Sequence, residues 1–464
     1  MTATVTQETP PPAPQYGEST KRERLGWYFY DWANSAYSST IVAVFLGPYL
    51  SRVARIAAGC GPDKTDACMA QPVTVLGITV KAGAVYTTFL SIAVVVNVLV
   101  LPIIGAIADR SAHKRRLLGI FAYIGAAATT GFFFVTEGRI LLGVLLTILS
   151  TVAFSSSIVV YQSFLPQISK EEERDRVSSY GWAFGYLGGG LLLVLNLVAF
   201  TMFTDSFEDK TLVVRACMAS AGIWWGLWTL VTLRRLRERP PAEGVARGNV
   251  LTDGFRQLWH TIKGFKGYPL TIFFLVAYLV YNDAIQTVIN VSSIYGTEAL
   301  KLSEDILIIT ILLIQFLAFG GAMLLGRIAG WIGAKKTVLI SLFLWVIIVL
   351  AAYQLPVGGA QQFMILGGSV GLVLGGSQAL SRSLFSQLIP KGKEAEYFGF
   401  YEVSDKGTSW IGPLVFTLVY QATSSYRYGI VSVLIPFVVG LVLLFLVPMR
   451  RAILAAGNNP PHRL

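Results

Sequence analysis

Long apolar stretches alternate with short polar segments along almost the whole chain. A helix needs about 20 apolar residues to cross the hydrocarbon core of a bilayer, because each residue adds about 1.5 Å. The pattern therefore predicts an all-α integral membrane protein with twelve transmembrane helices. Their predicted ranges are 27–50, 80–108, 117–136, 139–160, 178–202, 213–233, 269–291, 305–326, 337–355, 361–381, 396–421 and 426–449.

The second half of the chain repeats features of the first half at a nearly constant offset. Gly326 follows Gly105 by 221 residues, and Pro390 follows Pro166 by 224 residues. A repeat of this length indicates duplication of a helical bundle, so we expect two pseudo-symmetric bundles of six helices. The predicted parts are a disordered cytoplasmic tail (1–24), an N-terminal bundle (25–233), a cytoplasmic linker (234–268), a C-terminal bundle (269–449) and a cytoplasmic tail (450–464).

The composition agrees with a membrane protein. Hydrophobic residues make up 54% of the chain and charged residues only 14%, which excludes a soluble globular protein. The net charge of +11 would also suit a nucleic-acid-binding protein, but Lys and Arg lie in short clusters between alternate apolar stretches. The positive-inside rule explains this placement and predicts a multi-pass protein of the cell membrane with both termini in the cytoplasm. The lipid bilayer is an expected partner, nucleic acid is not, and we expect a monomer.

Cysteine and histidine are too scarce for a metal site or a disulfide scaffold, since the chain has three of each. Cys60 and Cys68 lie in the loop after the first span, which this topology places outside, where a disulfide can form. The sequence leaves that pairing open. Cys217 lies within the sixth span and is expected to pack there. No phosphate-loop motif occurs, and we expect neither a metal nor a cofactor.

The basic loop after the second span reads Gly105-Ala-Ile-Ala-Asp109-Arg110-Ser-Ala-His-Lys-Arg-Arg116. It resembles the loop between the second and third helices that characterises the major facilitator superfamily. The resemblance implies a gate at Gly105, Asp109, Arg110 and Arg116, in which the aspartate caps a neighbouring helix and pairs with basic residues. Arg382, at the cytoplasmic end of the tenth span, is a further gating candidate. For the basic loop itself, the alternative is a solvated turn that obeys the positive-inside rule.

Several further segments narrow the resemblance. They are Tyr30-Asp31-Trp32-Ala33-Asn34-Ser35-Ala36-Tyr37, Tyr161-Gln162-Ser163-Phe164-Leu165-Pro166, Ser178-Ser179-Tyr180-Gly181-Trp182-Ala183-Phe184-Gly185-Tyr186-Leu187-Gly188-Gly189, Gly375-Gly376-Ser377-Gln378-Ala379-Leu380-Ser381-Arg382-Ser383, Phe398-Gly399-Phe400-Tyr401 and Gly412-Pro413. Together they are similar to the major facilitator branch that includes the autophagy-related vacuolar amino-acid effluxers of fungi and their bacterial relatives. The resemblance covers about residues 25–449. It implies a twelve-helix secondary transporter and, for the fungal members, amino-acid export.

Ionisable side chains within spans are costly, so each one marks a candidate functional position. Asp31 lies in the first span, with Asn34 about one turn later, and these side chains could bind an amine or carry a proton. The alternative is an interfacial aspartate stabilised by the helix dipole and by Arg22 or Arg24.

The seventh span carries a second such group. Asp283 follows Pro269 by fourteen residues (283 minus 269), which places it about 21 Å into the helix. Tyr278, Tyr281, Asn282 and Gln286 lie within about one turn of it, and this combination suits a polar solute in an aromatic-lined pocket. Structural pairing of Asp283 alone is the alternative.

In the eleventh span, Glu402 and Lys406 are spaced to pair along one helix face, while Asp405 points elsewhere. An internal ion pair is one interpretation. The other is a proton-sensitive switch in which protonation of an acid frees Lys406 for another partner.

The sequence therefore predicts a non-enzymatic secondary transporter that moves a small polar solute by alternating access, with amino acids and export favoured and protons as the coupling ion. The expected solute-binding residues are Asp31, Asn34, Tyr37, Tyr161, Gln162, Tyr278, Tyr281, Asn282, Asp283, Gln286 and Gln378. The expected proton-coupling residues are Asp31, Asp283, Glu402, Asp405 and Lys406. Two alternatives are a non-transporting sensor or receptor on a transporter fold and an integral membrane enzyme that acts on lipids.

Overall fold

The computed structural model describes residues 18–60, 66–203, 207–239, 267–406 and 411–464. Most of these residues lie in helices. Residues 1–17 of the predicted N-terminal tail and residues 240–266 of the predicted linker lie outside the described part of the chain.

The N-terminal half contains six long helical segments. The first combines α1 (Lys21–Ala36), a π-helical segment (Tyr37–Phe45) and α2 (Leu46–Ala57). The other elements are α3 (Asp66–Ala70), β1 (Pro72–Val75), β2 (Ile78–Lys81), α4 (Val85–Arg110), α5 (Lys114–Gly131), α6 (Ile140–Gln162), α7 (Leu165–Ile168), α8 (Arg174–Met202) and α9 (Phe207–Arg235). Thr20 begins α1 as its N-cap, because its hydroxyl accepts from the backbone N–H of Glu23 at 3.2 Å.

The C-terminal half repeats this series. Its elements are α10 (Pro269–Ile294), a π-helical segment (Tyr295–Ala299), α11 (Glu304–Ile332), α12 (Ala334–Tyr353), α13 (Ala360–Gln387), α14 (Glu394–Lys406), α15 (Ile411–Thr423), α16 (Tyr426–Ser432), α17 (Leu434–Leu446) and α18 (Met449–Ala455). Among the described residues, eleven helical segments are long and apolar enough to cross a membrane. Helices α14 and α15 lie on either side of residues 407–410, within the predicted eleventh span.

Each half has its own hydrophobic core. Trp225 is fully buried in the N-terminal half, and Trp345 stacks on Phe437 in the C-terminal half with ring centroids 5.4 Å apart. Large apolar side chains on the outside are instead exposed, for example Leu99 at 65% and Phe445 at 67%. An apolar outer surface is what a lipid-facing bundle requires.

The halves meet where α4 contacts α14 and where α8 contacts α11 and α13. Glycines allow the closest approaches. Gly105 packs on α14, where an added Cβ would lie 2.7 Å from the Cα of Glu396. Gly326 packs on α8, where an added Cβ would lie 2.5 Å from the Cβ of Ser179. The two glycines that define the sequence repeat therefore occupy corresponding positions between the halves.

Both ends of the described chain lie at one end of the bundle, which we call the terminal face. Ser19 donates to the carbonyl of Ile168, which follows the fourth span. Beyond α18, Asn458 donates to the carbonyls of Gln387 and Ile389 at 2.9 and 2.7 Å, and so packs on the end of the tenth span. The segment after α18, predicted as a tail, thus makes ordered contacts with the bundle.

The loop after the first span lies at the opposite face. Cys60 and Cys68 form a disulfide there, and the cysteine pairing that the sequence left open is present in the structure. Strands β1 and β2 form an antiparallel hairpin in which Val75 pairs with Ile78. Leu76 and Gly77 at its tip both have positive φ, at 52° and 77°, as a tight two-residue turn requires.

Candidate functional site

An ion pair joins the first and tenth spans. Arg382 in α13 places its Nη1 3.2 Å from Oδ2 of Asp31 in α1, and the Tyr161 hydroxyl donates to the same oxygen at 2.7 Å. Arg382 also donates from Nε to the hydroxyl of Ser178 and from Nη2 to its carbonyl, both at 2.9 Å. Arg382 is 1% exposed and Asp31 is 8% exposed, so the two charges meet inside the protein.

Three aromatic rings surround the Arg382 guanidinium. Its Cζ lies 5.0 Å from the ring centroid of Trp27, 5.4 Å from that of Trp182 and 5.7 Å from that of Tyr161. Aromatic faces attract cations, and guanidinium is more weakly hydrated than ammonium. All three rings belong to the N-terminal half. Arg382 is therefore a side chain of one half inserted into the other half.

A second polar cluster joins α6 to α14. Gln162 donates from Nε2 to Oε1 of Glu402 at 2.8 Å, and Lys406 Nζ lies 2.9 Å from Oε2 of Glu402. Lys406 also donates to the Ser155 hydroxyl at 3.2 Å, and that hydroxyl accepts from Asn97 Nδ2 at 3.0 Å. The predicted pairing of Glu402 with Lys406 along one helix face is present, and Lys406 reaches the N-terminal half as well.

Asp405 points away from that pair, as its spacing predicts. Its Oδ1 accepts from the Tyr278 hydroxyl at 2.9 Å and from Asn282 Nδ2 at 2.7 Å, so α10 holds this carboxylate. Asp283, predicted beside these residues in the same pocket, lies on another side of α10. A Cβ added to Gly412 would lie 2.9 Å from its Oδ2.

The remaining predicted solute-binding residues fall into two groups. Asn34 donates to the Tyr30 carbonyl within its own helix. The Tyr37 hydroxyl lies 3.1 Å from the Ser150 hydroxyl in the same half. These contacts lie within the N-terminal half.

The second group contains Gln378 in α13 and two residues of α10, Tyr281 and Gln286. Gln378 in α13 accepts from the hydroxyl of Tyr186 in α8 at 2.6 Å and so joins the halves. The Tyr281 hydroxyl lies 2.7 Å from the Ser381 hydroxyl within the C-terminal half. Gln286 is half-buried.

The predicted gate contains a capped helix. Asp109 Oδ1 accepts from the backbone N–H of Ala395 and Oδ2 from that of Glu396, both at 2.9 Å, so the carboxylate caps α14 of the opposite half. Lys114 donates to Asp109 at 2.9 Å, and both side chains are 6% exposed. Arg110 is half-buried and Arg116 is exposed. Neither appears in the cap itself.

Several residues of these clusters were not among the sequence candidates: Trp27, Asn97, Lys114, Ser155, Ser178, Trp182 and Tyr186. Asn97 carried a usable signal, because it is a lone amide within the apolar stretch of α4. Ser178, Trp182 and Tyr186 lie in one of the segments that carried the family resemblance. Among the described residues, no group of three His, Cys, Asp or Glu side chains could hold a metal ion.

The fold of the chain is similar to that of several solved transporters. The proton:xylose symporter XylE, bound to 6-bromo-6-deoxy-D-glucose, aligns with a TM-score of 0.63 and 15% identity over 92% of this chain and 94% of its own. A bacterial homologue of the iron transporter ferroportin, in an outward-facing state, aligns with a TM-score of 0.62 and 12% identity over 91% and 98%. The fold is the twelve-helix fold of the major facilitator superfamily, as predicted.

The chain belongs to the family described as "Vacuole effluxer Atg22 like". The model of that family matches residues 19–457. It is 30% identical over 436 residues to the uncharacterized MFS-type transporter YxiO of Bacillus subtilis, covering 92% of this chain and 95% of that protein. It is 27% identical, over an alignment of 549 residues, to autophagy-related protein 22-2 of Emericella nidulans. That alignment covers 94% of this chain and 92% of the Emericella protein. The predicted family is confirmed, and the chain is a multi-pass membrane transporter.

Proposed function

We propose that this transporter exports a small polar solute, an amino acid or a related metabolite, in exchange for protons across the cell membrane. The observation that carries the proposal is the insertion of Arg382 into the N-terminal half, where it meets Asp31. Separation of the halves at the terminal face has to withdraw Arg382 from this site.

The charge on Asp31 sets the cost of that separation. Splitting a buried ion pair leaves two charges without a partner, which costs about 3–5 kcal/mol. A proton on Asp31 removes one of those charges and weakens the attraction to Arg382. In the proposed cycle, protonated Asp31 allows the terminal face to open, and loss of the proton favours its closure. Proton binding and solute access then belong to one conformational equilibrium.

Two features support a polar solute and export. The centre of the bundle carries hydrogen-bonding side chains from both halves, among them Tyr186, Gln378, Asn282 and Lys406. The family is described as one of vacuole effluxers, and the resemblance to fungal members favours amino acids. The basic clusters at the terminal face favour a cytoplasmic location of both termini.

The test uses the full chain in liposomes. Thermal stabilisation of the purified protein is first measured with each of the standard amino acids, because a ligand stabilises the state that it binds. The amino acid that stabilises most is then used in radiolabelled form. Counterflow without a pH gradient and accumulation driven by a pH gradient are compared for wild type, Asp31→Asn and the exposed control Asp305→Asn.

We expect wild type and Asp305→Asn to show both activities. Asp31→Asn should keep counterflow and lose gradient-driven accumulation, because asparagine mimics a permanently protonated aspartate. Gradient-driven accumulation in Asp31→Asn at the wild-type level would refute proton coupling through Asp31. Absence of stabilisation and of counterflow with every amino acid would refute the solute class.

A further inference from the structure

We propose that Lys406 and Asp405 form the binding site for a zwitterionic solute, with Lys406 as the partner of its carboxylate and Asp405 as the partner of its ammonium group. The inference rests on the proposed transport of an amino acid and assigns the residues that bind it. Both side chains then recognise the solute, and Asp405, not Asp283, is the acidic residue that binds it.

Depth along two helices places this pair a few ångströms beyond the middle of the bilayer core. Lys406 lies twelve residues after Glu394, where α14 begins at the terminal face, and so about 18 Å along the helix. Asn282, which holds Asp405, lies thirteen residues after Pro269 in α10, or about 20 Å along that helix. A bilayer core is about 30 Å thick, and transporters of this kind bind solute near its midplane.

Lys406 is the more accessible member of its ion pair. Its side chain is 26% exposed, against 4% for Glu402. Its Nζ lies 4.8 Å from the ring centroid of Phe154 and donates to the Ser155 hydroxyl, so both halves hold the ammonium group. An ammonium group can donate three hydrogen bonds. Ser155 accepts one hydrogen bond, and Glu402 lies 2.9 Å away as the ion-pair partner, which leaves capacity for a solute carboxylate.

Two buried amide oxygens flank the pair, one from each half. Asn282 is 1% exposed and uses its Nδ2 to hold Asp405, while Asn97 is 2% exposed and uses its Nδ2 to bond Ser155 beside Lys406. The Oδ1 atoms of both asparagines have no hydrogen-bond partner among the described residues. A buried acceptor without a donor is costly and calls for an explanation. The ammonium group of a solute at Asp405 supplies such a donor.

This site is also connected to the Asp31 and Arg382 pair. Lys406 donates to the Ser155 hydroxyl of the N-terminal half, and Arg382 of the C-terminal half meets Asp31 of the N-terminal half. The solute site and the Asp31 and Arg382 pair therefore both join the two halves. Solute and proton can then influence the same closure without sharing a carboxylate.

Ligands with one charge removed test the assignment. Affinity is measured on the purified full chain for leucine, for isoamylamine, which lacks the carboxylate, and for isocaproate, which lacks the amine. The variants are Lys406→Gln, Asp405→Asn, Glu402→Gln and the exposed control Lys301→Gln. Each unliganded variant is also checked by thermal unfolding, so that a folding defect is recognised.

We expect wild type and Lys301→Gln to bind leucine at least about tenfold more tightly than either analogue, since a hydrogen bond to a charged group is worth roughly that factor. Lys406→Gln should weaken leucine and isocaproate by about tenfold and leave isoamylamine unchanged. Asp405→Asn should weaken leucine and isoamylamine and leave isocaproate unchanged. Glu402→Gln should strengthen isocaproate, because it removes the acid that competes for Lys406.

Two results would overturn the site. Equal losses for all three ligands in Lys406→Gln and Glu402→Gln would mean that the ion pair is only structural. Wild-type affinity for leucine in both Lys406→Gln and Asp405→Asn would place the solute elsewhere while leaving the proposed transport intact. If wild type binds neither leucine nor any other standard amino acid, the proposed solute class fails, and the site fails with it.

Discussion

Arg382 and Asp31 lie 3.2 Å apart although 351 residues separate them in the sequence. The contact is more than a meeting of two charges. Ser178 receives two hydrogen bonds from the same guanidinium, and the rings of Trp27 and Trp182 cover it. Every one of these partners belongs to the N-terminal half, so one arginine fastens the C-terminal half to the other half near the terminal face.

Removing both members of this pair should destabilise the protein by less than the sum of the losses for removing each one alone. Arg382→Gln leaves the Asp31 carboxylate without its cation, and Asp31→Asn leaves the guanidinium without its anion, each at a cost of about 3–5 kcal/mol. The double variant should cost less than the sum of the single variants by about 0.5–3 kcal/mol, because contacting residues are coupled. Thermal unfolding of the four proteins in one detergent measures this difference.

Arg382→Lys serves as the matched control for charge. Lysine keeps the positive charge but not the planar fork that reaches Asp31 and Ser178 together. We expect its loss of stability to lie between wild type and Arg382→Gln. Strictly additive costs in the double variant would show that the two charges do not interact in solution.

The two interface glycines should control closure of the terminal face. Gly105→Ala and Gly326→Ala place a Cβ against α14 and α8, where neighbouring atoms leave no room. The buried residue Ser386 is changed to cysteine as a reporter in a Cys217→Ser background, and its rate of maleimide labelling is measured. A shift of about 1.4 kcal/mol toward the open state should raise that rate about tenfold.

Gly330→Ala is the control, because no atom lies within 4 Å of the position that its Cβ would occupy. It also lies in α11, the helix of Gly326. We expect labelling at the wild-type rate and a small gain in stability from the better helix former. If Gly105→Ala labels as slowly as Gly330→Ala, closure does not depend on the close approach of α4 and α14.

The cap of α14 should depend on the charge of Asp109. Asp109→Ala removes the acceptor for Ala395 and Glu396 and leaves buried Lys114 without its closest anion, so we expect a cost above the about 0.5–2 kcal/mol of an ordinary N-cap. Asp109→Asn keeps an acceptor and should cost less. Hydrogen exchange at the first amides of α14, followed by mass spectrometry, should rise most in Asp109→Ala. Equal exchange in both variants would contradict the charged cap.

The helices were predictable from the sequence because a membrane imposes a simple rule on length and polarity. Predicted and observed ends differ where polar residues continue a helix beyond the apolar stretch, as at α8, which begins at Arg174 and not at residue 178. The cap of α14 by Asp109 was also predictable, because the family motif implies an aspartate that caps a neighbouring helix.

The pairing within the site was not predictable from the sequence in the same way. The sequence offered Arg22 or Arg24 as partners of Asp31, since they are close along the chain. Arg24 instead pairs with Glu173 at 2.6 Å, and the partner of Asp31 comes from the tenth span. Such contacts depend on how two bundles dock. A single sequence reports helix faces, and it does not report which faces of separate bundles meet.

The disulfide gives a direct test of membrane orientation. The positive-inside rule places the Cys60 and Cys68 loop outside and the α4–α5 loop, which contains Ala112, inside. In cells that express the protein, a membrane-impermeant reductant followed by an impermeant maleimide should label wild type but not Cys60→Ser/Cys68→Ser. An Ala112→Cys reporter in the double-serine background should be labelled only after permeabilisation. The reverse pattern would invert the topology and, with it, the proposed direction of transport.

The disulfide should also contribute about 2–3 kcal/mol to stability by restricting the unfolded loop. Reduction should therefore lower the unfolding temperature of wild type and leave that of the double-serine variant unchanged.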